Sequence, residues 1–319
     1  MMISFAIPCY RSEKTITPVI NEIIKTMAEK ETYDYEIVLA NDCSPDDVFS
    51  VIRNLASSNK KIKAIDLSHN VGQHGALMAA YSVCKGDIIV SMDDDGQSPI
   101  TCLWDLLNPI IHEESDVCIA DYGYKKESRF RNIGSWVNDK MANIMLDKPD
   151  DLKLSSFFAM KKFVKDEIIR YKGPYPYVGG LILRSTQKIV NVSISDRERL
   201  EGKSGYTMRK LLYLFFNGFT SFSIKPLRFA TILGTLIAVL SFISLIAIVV
   251  NKIINPDTAI GWSSLISVVL LMGGLIMLML GILGEYIGRI YICINNSPQY
   301  VIKETINVDK DKTNDGIEK

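Results

Sequence analysis

Three carboxylates stand together at Asp93-Asp94-Asp95, and Gln97 follows closely. On an extended backbone Asp93 and Asp95 project to one side and Asp94 to the other. Two carboxylates and an amide oxygen on one side suit a hard divalent cation, Mg²⁺ or Mn²⁺, of the kind that sits against a diphosphate. The same residues also read as a solvated turn ahead of a helix, with Ser98 as N-cap and Pro99 as the first helical residue.

Such side chains need a strand end to hold them. The apolar run Asp87-Ile88-Ile89-Val90 leads into them and reads as a buried strand. Further strands are predicted over Ile3 to Ile7, Glu36 to Ala40, Ile62 to Leu67 and Val117 to Ala120. Between them, Ile16, Val19, Ile20, Ile23, Ile24 and Met27 recur at helical spacing. Ser44-Pro45-Asp46-Asp47 reads as a helix start, and Ala76 to Cys84 as an Ala-rich helix. This alternation predicts an α/β fold, a mostly parallel sheet with helices on both faces. Ligands bind beyond the carboxyl ends of such strands, and that edge collects Tyr10, Asp42, Gly72 and the Asp93/Asp95 pair. Asp42 suits a base or ribose, or equally a charge at a helix N-terminus. Tyr10 suits stacking on a base, or ordinary packing.

Lys+Arg and Asp+Glu are both 36 in 319 residues, a balance that argues against a nucleic-acid partner. The six cysteines are scattered with no CxxC pair, as expected of reduced thiols in a cytoplasm-facing domain. Three histidines give no footing for a His/Cys zinc site. Met1 to Pro8 lacks the basic region and long apolar core of a signal peptide and reads as a strand.

Ile7-Pro8-Cys9-Tyr10, Asn41-Asp42, Asn70-Val71-Gly72 and Asp93-Asp94-Asp95-Gly96-Gln97 occur in an order and spacing that resembles glycosyltransferase family 2. The chain looks like its membrane-bound subgroup, which makes polyprenyl-phosphate sugars, the dolichol-phosphate mannose synthase type. Asn70-Val71-Gly72-Gln73-His74 is similar to the bacterial enzymes that use undecaprenyl phosphate. The resemblance implies a GT-A, Rossmann-like domain, a nucleotide-sugar donor, a polyprenyl phosphate acceptor and Mg²⁺ or Mn²⁺. It implies that Pro8, Tyr10 and Asp42 hold the nucleotide, with Arg11, Glu13, Gly72 and Asp93 on the same side. Asp93, Asp95 and Gln97 would hold the metal and diphosphate. Many relatives carry Asn-Glu after the tyrosine; here Arg11 is either a phosphate contact or a solvated loop cation. Membrane relatives often associate, so a homo-oligomer is a further expectation.

After Asp121 the alternation fades. Lys125 to Arg131 is a basic run heading a helix-like segment, Ile133 to Leu146. It reads as a solvated face on composition; the resemblance turns Arg129 and Arg131 toward the lipid phosphate. Leu154 to Met160 reads as a strand returning to the site, with a helix from Lys161. Some relatives place an acid here, where this chain has Ser155-Ser156, so no general base is assigned. Gly202-Lys203-Ser204 is not a phosphate loop, because Arg197 stands where that motif needs glycine. Arg199, Gly202, Ser204 and Tyr206 instead resemble the loop ahead of the membrane segments in this subgroup. Arg199, Lys203 and Ser204 would then contact phosphates near the bilayer; a plain linker is the alternative.

Residues 207–226 read as an interfacial amphipathic segment. Two uncharged runs, 229–250 and 259–284, each exceed the roughly 20 residues that a spanning helix needs. Gly273-Gly274, Gly281 and Gly284 would let helices approach closely. Arg209, Lys210, Lys225 and Arg228 precede the first run and Arg289 follows the second, while the loop between holds only Lys252. The positive-inside rule then puts both termini in the cytoplasm of a multi-pass protein of the bacterial plasma membrane. The expected layout is a catalytic domain over 1–206, the interfacial segment, a hairpin over 227–288 and a cytoplasmic tail over 289–319, disordered beyond about Thr305. Rivals are a processive polysaccharide synthase, which would want a Gln-x-x-Arg-Trp motif, and an inactive nucleotide-binding scaffold.

Overall fold

The computed structural model describes residues 1–123, 148–149, 151–195, 225–254, 261–295 and 298–308. The chain forms two compact units, Met1–Met208 with Asn296–Lys319, and Arg209–Asn295.

The first unit opens with β1 (Met2–Cys9), whose Ile3, Phe5 and Ile7 are fully buried. The helix α1 (Ile16–Ala28) buries Ile16, Val19, Ile20, Ile23 and Met27, one stripe at helical period. Then come β2 (Asp34–Asn41), α2 (Val48–Ser58), β3 (Ile62–Leu67), α3 (Gln73–Val83) and β4 (Ile88–Ser91). After a short 3₁₀ turn at Ile100–Cys102 follow α4 (Leu103–Ile111) and β5 (Val117–Asp121). The returning segment supplies β6 (Phe158–Lys161), α5 (Lys162–Ile169), α6 (Val178–Ser185) and β7 (Ile189–Ser193).

These strands and a last one, β8 (Ile302–Ile306), make an eight-stranded sheet in the order β7-β5-β6-β4-β1-β2-β3-β8. β1 pairs parallel with both β2 and β4, β2 with β3, and β5 with β7. β6 runs antiparallel between β4 and β5, and β8 antiparallel on β3. The expected mostly parallel α/β sheet is therefore present. Winding reverses between β1 and β4, which is where such a sheet opens a crevice for a ligand.

Four local expectations change. The helix expected from Ser44 starts at Val48, because the Ser44 hydroxyl donates to Asp46 and its amide to Asn41 Oδ1. Pro99 lies ahead of the 3₁₀ turn in extended backbone instead of opening an α-helix. α3 starts at Gln73, ahead of Ala76, so Gln73 and His74 sit in its first turn. The segment expected to be a free tail adds β8 to the sheet before the described chain ends at residue 308.

The second unit contains α7 (Lys225–Ile254) and α8 (Trp262–Ile294). Among the described residues, Leu271–Ile294 is the helical stretch long and apolar enough to cross a membrane. It runs past Gly284, where the sequence pattern had ended. The glycines at 273, 274, 281 and 284 face open space within this chain, and it is Gly234 that meets a neighbour, Met279 Cε at 3.5 Å from its Cβ position.

Candidate active site

β1 delivers Tyr10 and Arg11 to the carboxyl edge of the sheet. Tyr10 is 44% exposed. Its amide donates to Asp94 Oδ2 at 2.9 Å, a bond that crosses the β1/β4 switch point. Arg11 holds a left-handed backbone, φ 57°, which costs a residue with a Cβ. Its amide donates to Ser44 Oγ at 2.8 Å, and its guanidinium lies 5.5 Å from the centre of the Tyr10 ring. The Glu13 amide donates to Asp46 Oδ2 at 3.1 Å, while the residue itself is exposed. Loops after β1 and β2 are thus bolted together. Pro8 is buried inside β1, opposite Ala40.

Asp42 follows β2 directly and is only 3% exposed. Its Oδ1 accepts the Val71 amide at 2.7 Å and its Oδ2 the Gly72 amide at 2.9 Å. Its carbonyl accepts Asn70 Nδ2 at 3.0 Å. Burial pushes its pKa up, and the two amide donors pull it down. The carboxylate expected to meet a base or ribose is therefore engaged with the loop after β3. Gly72 turns that loop at φ 82°, where glycine is favoured.

Beyond β4 the three carboxylates lie past the end of the strand, with Asp94 and Asp95 in a bend, and each has different partners. Asp93 Oδ1 accepts Gln73 Nε2 at 2.7 Å, and its Oδ2 accepts the Ser156 hydroxyl at 2.5 Å. Asp94 points the other way, to the Tyr10 amide. Burial pushes its pKa up to about 6; the Tyr10 amide pulls down, and the charges of Asp93 and Asp95 add to the rise. Asp95 Oδ1 accepts the Gln97 amide at 3.0 Å, closing a turn around Gly96 at φ 76°. Among the described residues no three His, Cys, Asp or Glu side chains converge into a closed cation cage. By donor chemistry, two carboxylates and a carboxamide oxygen, as at Asp93, Asp95 and Gln97, are the type of set that an open Mg²⁺ site would use. Mg²⁺ characteristically takes one or two carboxylates and completes its shell with substrate phosphates and water.

The structure thus brings Tyr10, Arg11, Asp42, Gly72 and Asp93 to one edge of one sheet. Arg129, Arg131, Arg199, Lys203 and Ser204 lie outside the described residues. Sequence reasoning gave no role to Gln73 or Ser156. Gln73 stood in a quoted loop, but which carboxylate it reaches depends on pairing far along the chain.

A sequence model of Glycosyl transferase family 2 matches residues 4–170, more than half of the chain. The chain belongs to that family. A second model, the GtrB C-terminal hairpin, matches residues 225–290 of this glycosyltransferase. The putative glycosyltransferase CsbB of Bacillus subtilis is 33% identical to the family 2 enzyme over 97% of this chain and 94% of its own. A prophage bactoprenol glucosyl transferase homolog of Escherichia coli is 30% identical over 95% and 99%. The undecaprenyl-phosphate 4-deoxy-4-formamido-L-arabinose transferase of Proteus mirabilis is 27% identical over 98% and 96%. Among solved structures, the glucosyl-3-phosphoglycerate synthase of Mycobacterium tuberculosis with Mn²⁺, UDP-glucose and phosphoglyceric acid is similar. Its TM-score is 0.51 at 19% identity, over 68% of this chain and 78% of that one, which shows the GT-A fold.

Proposed function

We propose that this glycosyltransferase moves one sugar from a nucleotide diphosphate sugar, UDP-linked by family habit, to the phosphate of undecaprenyl phosphate. The reading is supported above all by full-length similarity to transferases named for bactoprenol and undecaprenyl phosphate, hairpin included. Donor chemistry follows from the sheet edge. Tyr10 offers an exposed ring to the base. Asp42 and Gly72 shape the loop beside the nucleotide, and Arg11 and the exposed Glu13 border it. Pro8 supports Tyr10 from within β1. Asp93, Asp95 and Gln97 would hold Mg²⁺ or Mn²⁺ at the diphosphate. When bound, the cation polarises the diphosphate and offsets charge on the departing nucleotide.

Arg129, Arg131, Arg199, Lys203 and Ser204 are assigned to the acceptor phosphate, which they would hold in line with the anomeric carbon. A phosphate oxygen forms the new bond to that carbon as the bond to the nucleotide diphosphate breaks, with inversion. The nucleophile is an anion near neutral pH, so no strong general base is required. Residues 229–250 and 259–284 would cross the membrane as two helices, with 207–226 at the interface.

A transfer assay tests this reading. Membranes carrying the protein receive undecaprenyl phosphate and a panel of labelled nucleotide sugars, with and without EDTA. Label entering the organic phase from one donor, lost with EDTA, is the expected result. A folded protein that binds nucleotide but transfers no label from any donor would favour the scaffold.

A further inference from the structure

We propose that Gln73 and Ser156 are positioning residues for Asp93, fixing the orientation in which its carboxylate meets the divalent cation at the donor diphosphate. This rests on the reading of Asp93 as a metal ligand. The two donors reach Asp93 from opposite halves of the domain. Gln73 is the first residue of α3, and the amide of Gly72 just before it is anchored by Asp42. Its Nε2 donates to Asp93 Oδ1 at 2.7 Å. Ser156 precedes β6, the strand that returns to lie against β4. The β4/β6 register pairs Ser91 with Phe158. Continued past the paired ends, that antiparallel register sets Ser156 opposite Asp93, and the hydroxyl donates to Oδ2 at 2.5 Å. Ser155 fixes the turn by donating to the Phe157 carbonyl at 3.0 Å.

The chemistry of these donors matters as much as their positions. A lysine or arginine here would neutralise Asp93 and compete with a cation. A hydroxyl and a carboxamide carry no charge, so these two bonds orient the carboxylate without neutralising it. Outer groups that orient a ligating carboxylate commonly change metal affinity by about 10- to 100-fold when removed. The clasp also ties the start of α3 to the segment before β6 through one carboxylate. Its makers follow from the geometry of Asp42: that residue sets Gly72, Gly72 leads into Gln73, and Gln73 holds Asp93.

The test is a Mn²⁺ titration of the full-length protein in detergent with UDP present, followed by the EPR signal of free Mn²⁺. Ser156→Ala and Gln73→Leu should each bind Mn²⁺ about tenfold more weakly, with melting temperatures close to wild type. Ser156→Thr, which keeps the hydroxyl, should bind Mn²⁺ as wild type does. Transfer lost by the two weakened variants at low Mn²⁺ should return at high Mn²⁺. Wild-type affinity in both variants, with Asp93→Ala defective, would overturn the positioning role and leave the metal reading standing. Wild-type affinity in Asp93→Ala would overturn both.

Discussion

At the scale of single residues, the site uses carboxylates in different ways. Asp42 and Asp94 spend oxygens on backbone amides and hold loops in place. Asp95 sits at the tip of its own tight turn, bonded to Gln97. Replacing Asp95 with Ala should lower transfer to background; full activity in that variant would remove the metal assignment. His74 gives a pH prediction. Its Nδ1 is buried without a hydrogen-bond partner, and its ring meets Tyr177 edge-on at 5.1 Å. Burial lowers its pKa from 6.5 to about 4. Between those values the unfolded chain binds a proton that the folded chain refuses. The contribution is therefore fully present above about pH 6.5 and lost as pH falls toward 4, to the extent of about 3 kcal/mol. Melting curves from pH 7 to pH 4.5 should show a smaller acid destabilisation in His74→Gln than in wild type. Equal acid sensitivity in the two proteins would contradict the buried, neutral ring.

At the scale of elements, what was legible in the sequence is what local pattern encodes. The strands at Ile3, Glu36, Ile62 and Ile88 read directly, because runs of buried apolar residues between helical stripes leave little choice of element. The start of α3 did not, because its cap is Gly72, with no side-chain bond to signal it. Ser156 was legible as a residue but not as a partner of Asp93, since that contact depends on a strand pairing 63 positions away. β8 was hidden by its composition. Lys303 and Glu304 look like tail residues, yet one pairs with Asp66 at 3.1 Å and the other with Arg53 at 2.8 Å. Charges on an edge strand are normal, since they discourage further pairing. The segment is anchored on either side of β8. Asn307 Nδ2 donates to the Ala56 and Ile62 carbonyls at 2.6 and 2.9 Å. Gln299 Nε2 donates to the Tyr171 and Gly173 carbonyls at 2.6 and 2.7 Å. Gln299→Ala removes two bonds from partly buried groups and should cost about 1–2 kcal/mol. The urea midpoint of the variant should fall accordingly; an unchanged midpoint would mean this anchor contributes nothing.

At the scale of the whole molecule, chain order constrains topology. Residues before the hairpin and residues after it belong to the same compact unit. β8, formed after α8, is hydrogen-bonded into the sheet that β1 begins. On the proposed reading that the hairpin enters a bilayer, a chain that leaves one folded unit and returns to it crosses an even number of times. An even number of crossings needs no appeal to charge, and it agrees with the basic flanks at Arg209, Lys210, Lys225 and Arg228 against a loop holding only Lys252. The orientation that follows is open to a labelling experiment in bacterial cells. Cys43 is exposed in the first unit, and Cys293 is exposed at the end of α8 in the second. One variant, Cys293→Ser, keeps Cys43 as the reporter. A second carries Asp257→Cys with Cys43→Ser and Cys293→Ser, which moves the reporter to the hairpin loop. A membrane-impermeant maleimide should label the loop reporter in intact cells and Cys43 only after permeabilisation. The reverse pattern would place the catalytic unit outside, away from cytoplasmic nucleotide sugars. Both reporters behaving alike, labelled in intact cells or only after permeabilisation, would mean that the hairpin does not cross.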